Sequence, residues 1–244
     1  LYMQYRANNG TLDLMKYDGT SFTPIPSPSG FSGNYLGYHG QPVVFGGNLY
    51  LQYYGDDDNY TLFKYDGLSL IEIPTPSGFT AAGGGYLGLP FVHNSWLYFQ
   101  YMGDDQNRVL FKNDGTSLTE ISSPAGYSGA FGGYHGSPVI YNSELHVLYK
   151  QDNNSNKLFK YDGTSLSVIP NPTEAANSSG GYAGHPIVVG PHLYVYYQND
   201  DQNGGLFRYD GVDFTHYPSP TGFSGTNAGY TGWPHYSNYV LHVR

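Results

Sequence analysis

Tyr-x-Gly-x-Pro occurs at Tyr38, Tyr86, Tyr134, Tyr182 and Tyr230, each 48 residues after the last. Asp-Gly keeps the same step, at Asp18, Asp66, Asp114, Asp162 and Asp210, and so does a tyrosine within an apolar run, at Tyr5, Tyr53, Tyr101, Tyr149 and Tyr197. No insertion or deletion separates the copies. A unit of this size cannot bury its own apolar faces and must stack on its neighbours, so the period dictates one stacked object rather than five independent globules. Residues 1–244 are accordingly read as a single domain whose core lies between repeats.

The second copy shows how one unit folds. Pro90-Phe-Val-His93 and Leu97-Tyr-Phe-Gln-Tyr101 read as a first and second strand joined by a short Asn-Ser-Trp turn. The polar loop Gly103–Asn107 leads to a third strand, Val109–Lys112, and Asp114-Gly115 turns it into a fourth, Ser117–Ile121. Asp-Gly between apolar runs signals a hairpin whose central positions want positive φ. Pro124 then ends the pairing, since it has no N–H to donate.

Four antiparallel strands in about 48 residues have the size of a propeller blade; coils of a parallel β-helix are much shorter and a trefoil needs threefold symmetry. The expected fold is all-β: a five-bladed β-propeller, four antiparallel strands per blade. Leu62–Tyr65 carries bulky groups on both sides, as strands do when both faces of a blade are covered. Leu241–Arg244 falls in register with Leu1–Gln4, so the second strand is encoded six times. Pro234–Tyr236 is expected to give its strand to the blade begun at Leu1, a velcro closure by the termini.

Composition narrows the function. The chain has 34 glycines, 16 prolines and 27 tyrosines, which suits short strands and tight turns filled by a bulky side chain with a polar tip. A net charge of −9 with ten Lys and Arg leaves no basic stripe, which argues against nucleic acid and against anionic membranes as partners. The absence of cysteine excludes disulfides, zinc–thiolate sites and thiol catalysis. No apolar run reaches the roughly 18 residues of a spanning helix, so direct membrane insertion is not expected. The chain opens inside a strand pattern instead of a signal peptide, which reads as a mature or excised piece.

Two loops carry the chemistry. The Tyr-x-Gly-x-Pro element and the polar loop between second and third strands are expected at one end of every blade. The candidate ligand-binding residues are Tyr38, Tyr86, Tyr134, Tyr182 and Tyr230 with Asp56, Asp104, Asp152 and Asp200. Sugars combine apolar C–H faces with a fringe of hydroxyls, so aromatic planes beside carboxylate acceptors in a repeated concavity suit glycan binding, and repetition adds avidity. The bland reading is that glycine makes the turn, proline sets the strand entry and tyrosine plugs the seam between blades. The Asp-rich loops could hold calcium, a cation wanting six to eight oxygen ligands, but no copy has EF-hand spacing; solvated hairpin tips are the plainer assignment.

Near-identical blades work against an enzyme, which needs unlike residues in unlike roles. The irregular residues are His39 and His135 in one register, His185 two positions further along it, and Trp233. The nine histidines form no metal-ligand cluster in the sequence, and no Ser-His-Asp or phosphate-loop signature occurs. No catalytic residue and no resident metal or cofactor is expected.

Leu62-Phe-Lys-Tyr-Asp-Gly67, followed by Ile-Glu-Ile-Pro, Ser-Gly-Phe and Leu97-Tyr-Phe-Gln, resembles the bacterial secreted repeats with the signature Glu-Leu-Trp-Lys-x-Asp-Gly-Thr and a later Leu-Tyr-Phe. The resemblance covers all five units and departs at Glu-Leu-Trp, here Thr61-Leu-Phe63 or Lys157-Leu-Phe159. It implies an extracellular or cell-surface propeller. In blade number and length the chain is also similar to tachylectin-type five-bladed lectins, whose residue motif it does not share. Two functions are therefore expected to compete: a multivalent glycan-binding module, and a structural or protein-interaction module of a surface protein or extracellular assembly.

Overall fold

The computed structural model describes residues 1–81, 83–173, 181–198, 204–219, 221–222, 235–237 and 240–242. Among them the chain is all-β, with no α-helix. It divides into two compact units, Leu1–Ser122 and Ser123–Arg244.

The first unit opens with three antiparallel strands, β1 (Tyr2–Arg6), β2 (Leu12–Tyr17) and β3 (Phe22–Ile25). Two complete four-stranded meanders follow. The first comprises β4 (Gly37–Phe45), β5 (Asn48–Tyr54), β6 (Tyr60–Tyr65) and β7 (Leu70–Ile73). The second comprises β8 (Gly85–His93), β9 (Trp96–Met102), β10 (Arg108–Asn113) and β11 (Leu118–Ile121).

The second unit repeats the pattern. It contains β12 (Gly133–Tyr141), β13 (Glu144–Lys150), β14 (Asn156–Tyr161) and β15 (Leu166–Val168), then β16 (Gly181–Val189), β17 (His192–Gln198), β18 (Gly204–Tyr209) and β19 (Phe214–Tyr217). Two short strands follow, β20 (His235–Ser237) and β21 (Val240–His242). The four-strand reading thus holds for two repeats in each unit.

Three expectations need correction. Tyr-x-Gly-x-Pro is not a loop before the first strand but part of it: β4, β8, β12 and β16 each start one residue before the tyrosine. The ladder breaks just beyond, between His39 and Val43 in the first copy, so Gly40, Gln41 and Pro42 face Leu51 alone in a bulge. Proline has no N–H for a ladder and Gly40 takes φ 78°, so the motif encodes the bulge, which bends the strand without ending it. The Asp-Gly hairpins differ too. Only the glycine has positive φ (Gly67, 100°), and four residues, not two, connect the strands, as between Tyr65 and Leu70. The Asp66 carboxylate accepts the N–H groups of Leu68 and Ser69 at 2.8 Å each, a side-chain template in place of a primed turn.

The third correction concerns the carboxyl end. His235–Ser237 pairs antiparallel with Val240–His242, its own following strand, where pairing to the blade begun at Leu1 was expected. A short hairpin closes with far less loop entropy than a pairing between chain ends.

Consecutive repeats meet tightly. The third strand of one bridges the first strand of the next in parallel, Leu12 to Gly37, Tyr60 to Gly85 and Asn156 to Gly181. Glycine is obligatory there. A Cβ on Gly85 would lie 2.5 Å from the Tyr60 carbonyl oxygen, and the residue takes φ 81°. Both faces of each meander are apolar: Leu51, Tyr53 and Phe63 of the first pack toward Leu14 and Ile25, while Tyr50 and Leu62 pack toward Tyr86, Leu97 and Phe99. A second link across the first two seams is polar, with Gln4 Nε2 donating to the Tyr38 carbonyl and Gln52 Nε2 to the Tyr86 carbonyl.

Candidate functional site

The repeated tyrosines are buried. Tyr38, Tyr86, Tyr134 and Tyr182 are at most 3% exposed, so their rings offer no face to a ligand. Each stands edge-on to the tyrosine opposite it on the second strand: Tyr38 to Tyr53 at 5.9 Å, Tyr86 to Tyr101 at 5.9 Å, Tyr134 to Tyr149 at 6.0 Å and Tyr182 to Tyr197 at 5.8 Å between ring centres. The second-strand tyrosine meets a phenylalanine of the third strand, as Tyr101 meets Phe111 at 5.1 Å. A residue of the preceding loop closes the cluster, Phe79 lying 5.3 Å from Phe111. Period-two alternation aims the motif tyrosine into this four-ring stack, where edge-to-face contact adds about 1 kcal/mol per pair. Burial pushes the Tyr38 phenol up to about 12. These four residues are seam packing, and the expectation that they bind ligand is corrected accordingly. Tyr230 lies outside the described residues, as does Trp233.

The acidic candidates Asp56, Asp104 and Asp152 are exposed, and the carboxylates of the last two are engaged with backbone. Asp104 Oδ1 accepts the Ala81 N–H at 2.7 Å, and Asp152 Oδ1 accepts the Gly129 N–H at 2.7 Å. Their own N–H groups, with that of Asp56, donate to the carbonyls of Gly78, Gly126 and Gly30 at 2.8, 3.0 and 2.8 Å. Each therefore pins the turn that precedes its own first strand. The neighbouring position folds inward as well: Asp57, Asp105 and Asn153 each accept the N–H two residues on, which closes the polar loop as an Asx turn. Asp200 lies outside the described residues. No three His, Asp or Glu side chains converge as a metal site among the described residues.

The pinned turns carry an unexpected load. Residues 33–36, 81–84 and 129–132 each close with an N–H to carbonyl bond over three residues, from Leu36 to Gly33, Gly84 to Ala81 and Gly132 to Gly129. The third residue is left-handed in all three. In the second copy it is Gly83 (φ 79°), but in the first it is Tyr35 (φ 66°) and in the third Phe131 (φ 62°). This backbone costs a bulky side chain on the order of 1–2 kcal/mol that glycine avoids. Both aromatic residues are nonetheless mostly exposed, 58% and 62%. The Arg6 guanidinium stands over the Tyr35 ring, 4.6 Å from its centre.

A second aromatic group lies at the same end of the first meander. His39, Tyr54 and Tyr60 are half-buried, with ring centres 5.8 Å (His39–Tyr54), 5.9 Å (His39–Tyr60) and 4.7 Å (Tyr54–Tyr60) apart. The Tyr54 hydroxyl donates to Asp58 Oδ1 at 2.8 Å, which holds the phenol above its ordinary value. His39 Nδ1 sits 3.1 Å from the Gly37 carbonyl oxygen, a distance that makes Nδ1 the protonated ring nitrogen. The group combines ring surface, a carboxylate acceptor and an imidazole, the elements a polyhydroxylated ligand needs.

Sequence reasoning named His39 as irregular but missed Tyr54, Tyr60, Tyr35 and Phe131. The signal was departure from the repeat. The Tyr54 position holds Met102, Lys150 and Gln198 in other copies, and the Tyr60 position holds Arg108, Asn156 and Gly204.

No protein-family model matches the chain, and no curated protein matches it. Among solved structures, it is similar to a lectin from Aleuria aurantia described as having a six-bladed β-propeller fold and a novel fucose recognition mode, at TM-score 0.39 and 15% identity over 94% of this chain and 78% of that one. It is similar to the SapL1 lectin in complex with α-methyl fucoside, at TM-score 0.42 and 14% identity over 82% and 65%. A puromycin-hydrolyzing peptidase from Mycobacterium tuberculosis aligns at TM-score 0.52 and 13% identity over 89% of this chain but 37% of that one. At such identity the last likeness is one of fold alone.

Proposed function

We propose that the chain is a non-enzymatic, multivalent carbohydrate-binding module, a five-bladed β-propeller formed by residues 1–244 and displayed outside the cell or on its surface. The binding end is that of the polar loops. The observation that carries this reading is the group of His39, Tyr54, Tyr60 and Asp58, where half-buried rings lie against a carboxylate in a preformed arrangement. Glycans come with C–H faces for the rings and hydroxyls for the acceptors. A single site of this kind binds weakly, with Kd on the order of 1 mM, and further sites built from other residues at the same end of the other repeats would raise avidity by roughly 10²–10⁴. Asp56, Asp104 and Asp152 contribute as the braces of that end. Calcium at the Asp loops is a separate proposal that the same experiment addresses.

The test is a glycan array on the purified chain with and without calcium, followed by the same array on a His39→Ala, Tyr54→Ala, Tyr60→Ala variant. Binding to one coherent sugar class that drops at least tenfold in the variant is expected. A blank array in both conditions overturns the reading.

One observation favours the second reading, a protein-contact module. At the opposite end, a cavity of 430 Å³ is lined by Lys16, Pro24, Ile25, Tyr65 and Leu68. A cavity of 350 Å³ recurs one period on with Lys64, Glu72, Ile73, Asn113 and Thr116. Leu68 and Val212, at two hairpin tips, are 91% and 83% exposed. In sequence the rim residue tracks the outer-strand residue 44 positions before it: Pro24 with Leu68 and Val168 with Val212 are apolar, whereas Glu72 with Thr116 and Glu120 with Thr164 are polar. Exposed aliphatic residues matched in this way suit an apolar protein contact.

A further inference from the structure

The turn at residues 33–36 and its counterpart at 129–132 hold an exposed aromatic ring where the backbone asks for glycine. The second copy shows that glycine serves the turn, since Gly83 closes it with the same hydrogen bond. Packing does not account for the rings: Tyr35 and Phe131 are more than half exposed, and neither belongs to a buried cluster among the described residues. Two copies therefore carry a strained backbone for the sake of a side chain that faces water, the usual mark of a contact residue.

We infer that Tyr35 and Phe131 are ligand-contacting tips, each offering a ring face to the C–H face of a pyranose. The inference rests on the glycan reading and adds to it a second class of contact, two tips 96 residues apart in sequence. The turns are rigid enough for this. Gly129 is tied to Asp152 by a 2.7 Å bond, and the Tyr35 N–H donates to the Gly10 carbonyl at 3.1 Å, so little freedom is lost on binding. At Tyr35 the Arg6 guanidinium covers one side of the ring and brings a planar fork of donors for vicinal hydroxyls. The Phe131 tip is a plain apolar platform. The two tips differ accordingly: the first is suited to a hydroxyl-rich sugar edge and the second to a methyl- or acetyl-bearing one.

The experiment compares the wild-type chain with Tyr35→Gly, Phe131→Gly, the double variant and Tyr35→Phe. Binding is read against methyl glycosides of hexoses, deoxyhexoses and N-acetylhexosamines, and thermal midpoint is read alongside. Each glycine variant is expected to melt a few degrees higher, because strain is relieved, and to bind at least fivefold more weakly; the double variant should lose more, and Tyr35→Phe should keep most of its affinity. A wild-type chain that binds glycosides while the double variant binds equally well overturns the inference and leaves the glycan reading standing. Lowered midpoints in both glycine variants also overturn it, since the rings would then be packing. A wild-type chain that binds none of the glycosides removes the glycan reading and the inference with it.

Discussion

Tyr38 and His39 are neighbours in one strand, yet the first is 2% exposed within a four-ring stack and the second lies half-buried beside Tyr54 and Tyr60. The contrast extends along the chain. Residues alike in every described copy, such as the motif tyrosine, the glycine before it and the Asp-Gly aspartate, are buried or engaged with backbone. Those that differ between copies, at the positions of His39, Tyr54, Tyr60 and Tyr35, lie at the polar-loop surface. In a repeat protein, sameness reports what each unit needs to stack on the next, and a ligand site is free to vary.

The strongest way to break this division is to exchange the two kinds of residue. Tyr86→Ala removes a ring from the stack and is expected to cost about 4 kcal/mol, whereas Tyr54→Ala is expected to cost less than about 1 kcal/mol. Tyr86→Phe sharpens the point. The hydroxyls of Tyr86 and Tyr101 are buried without a hydrogen-bond partner among the described residues, so removing one should leave stability unchanged or raise it by up to about 1 kcal/mol. Denaturant midpoints with unchanged slopes would measure all three. Equal losses for Tyr86→Ala and Tyr54→Ala would erase the distinction.

The next test concerns how repeats meet. Gly85→Ala places a methyl 2.5 Å from the Tyr60 carbonyl oxygen at φ 81°, and about 3 kcal/mol of destabilisation is expected. Gly83→Ala, two residues earlier, meets nothing within 4 Å and should cost only the backbone strain, about 1 kcal/mol. A thermal melt of both variants separates clash from strain.

The period, the four strands and the two-sided apolar faces were legible because spacing and alternation are written directly in residue types. The direction of the motif tyrosine was not. A tyrosine with glycine two residues on looks like an exposed loop residue, and only the ladder, which opposes Tyr38 to Tyr53, shows that it points into the seam. The Asp loops misled for a similar reason. Asp104 and Asp152 read as free acceptors, but the backbone amides they accept lie 23 residues away, a pairing that no local pattern reveals. The tips at Tyr35 and Phe131 were hidden because a left-handed φ is a property of the backbone, and their residue types argue against it.

The smallest expected effect lies at the Asp-Gly end. Asp114 Oδ1 accepts the N–H groups of Thr116 and Ser117 at 2.8 Å each and the Thr116 hydroxyl at 2.7 Å. These bonds, that of Ser117 foremost, pull its carboxyl down to about 2 from an ordinary 3.8. Asp18, Asp66, Asp162 and Asp210 are lowered for the same cause. With the folded value below the unfolded one, the folded state binds fewer protons in this range. The stabilisation is therefore complete above about pH 4 and is lost as pH falls toward 2. Asp114→Asn keeps an acceptor oxygen but not the charge, so it should lower the thermal midpoint slightly at pH 5 and by much less at pH 2. Because five hairpins share the template, the wild-type midpoint itself should fall across that window. A midpoint flat from pH 5 to pH 2 would mean that these carboxylates only decorate turns that the strands already hold, and the repeated aspartate would no longer belong with the scaffold.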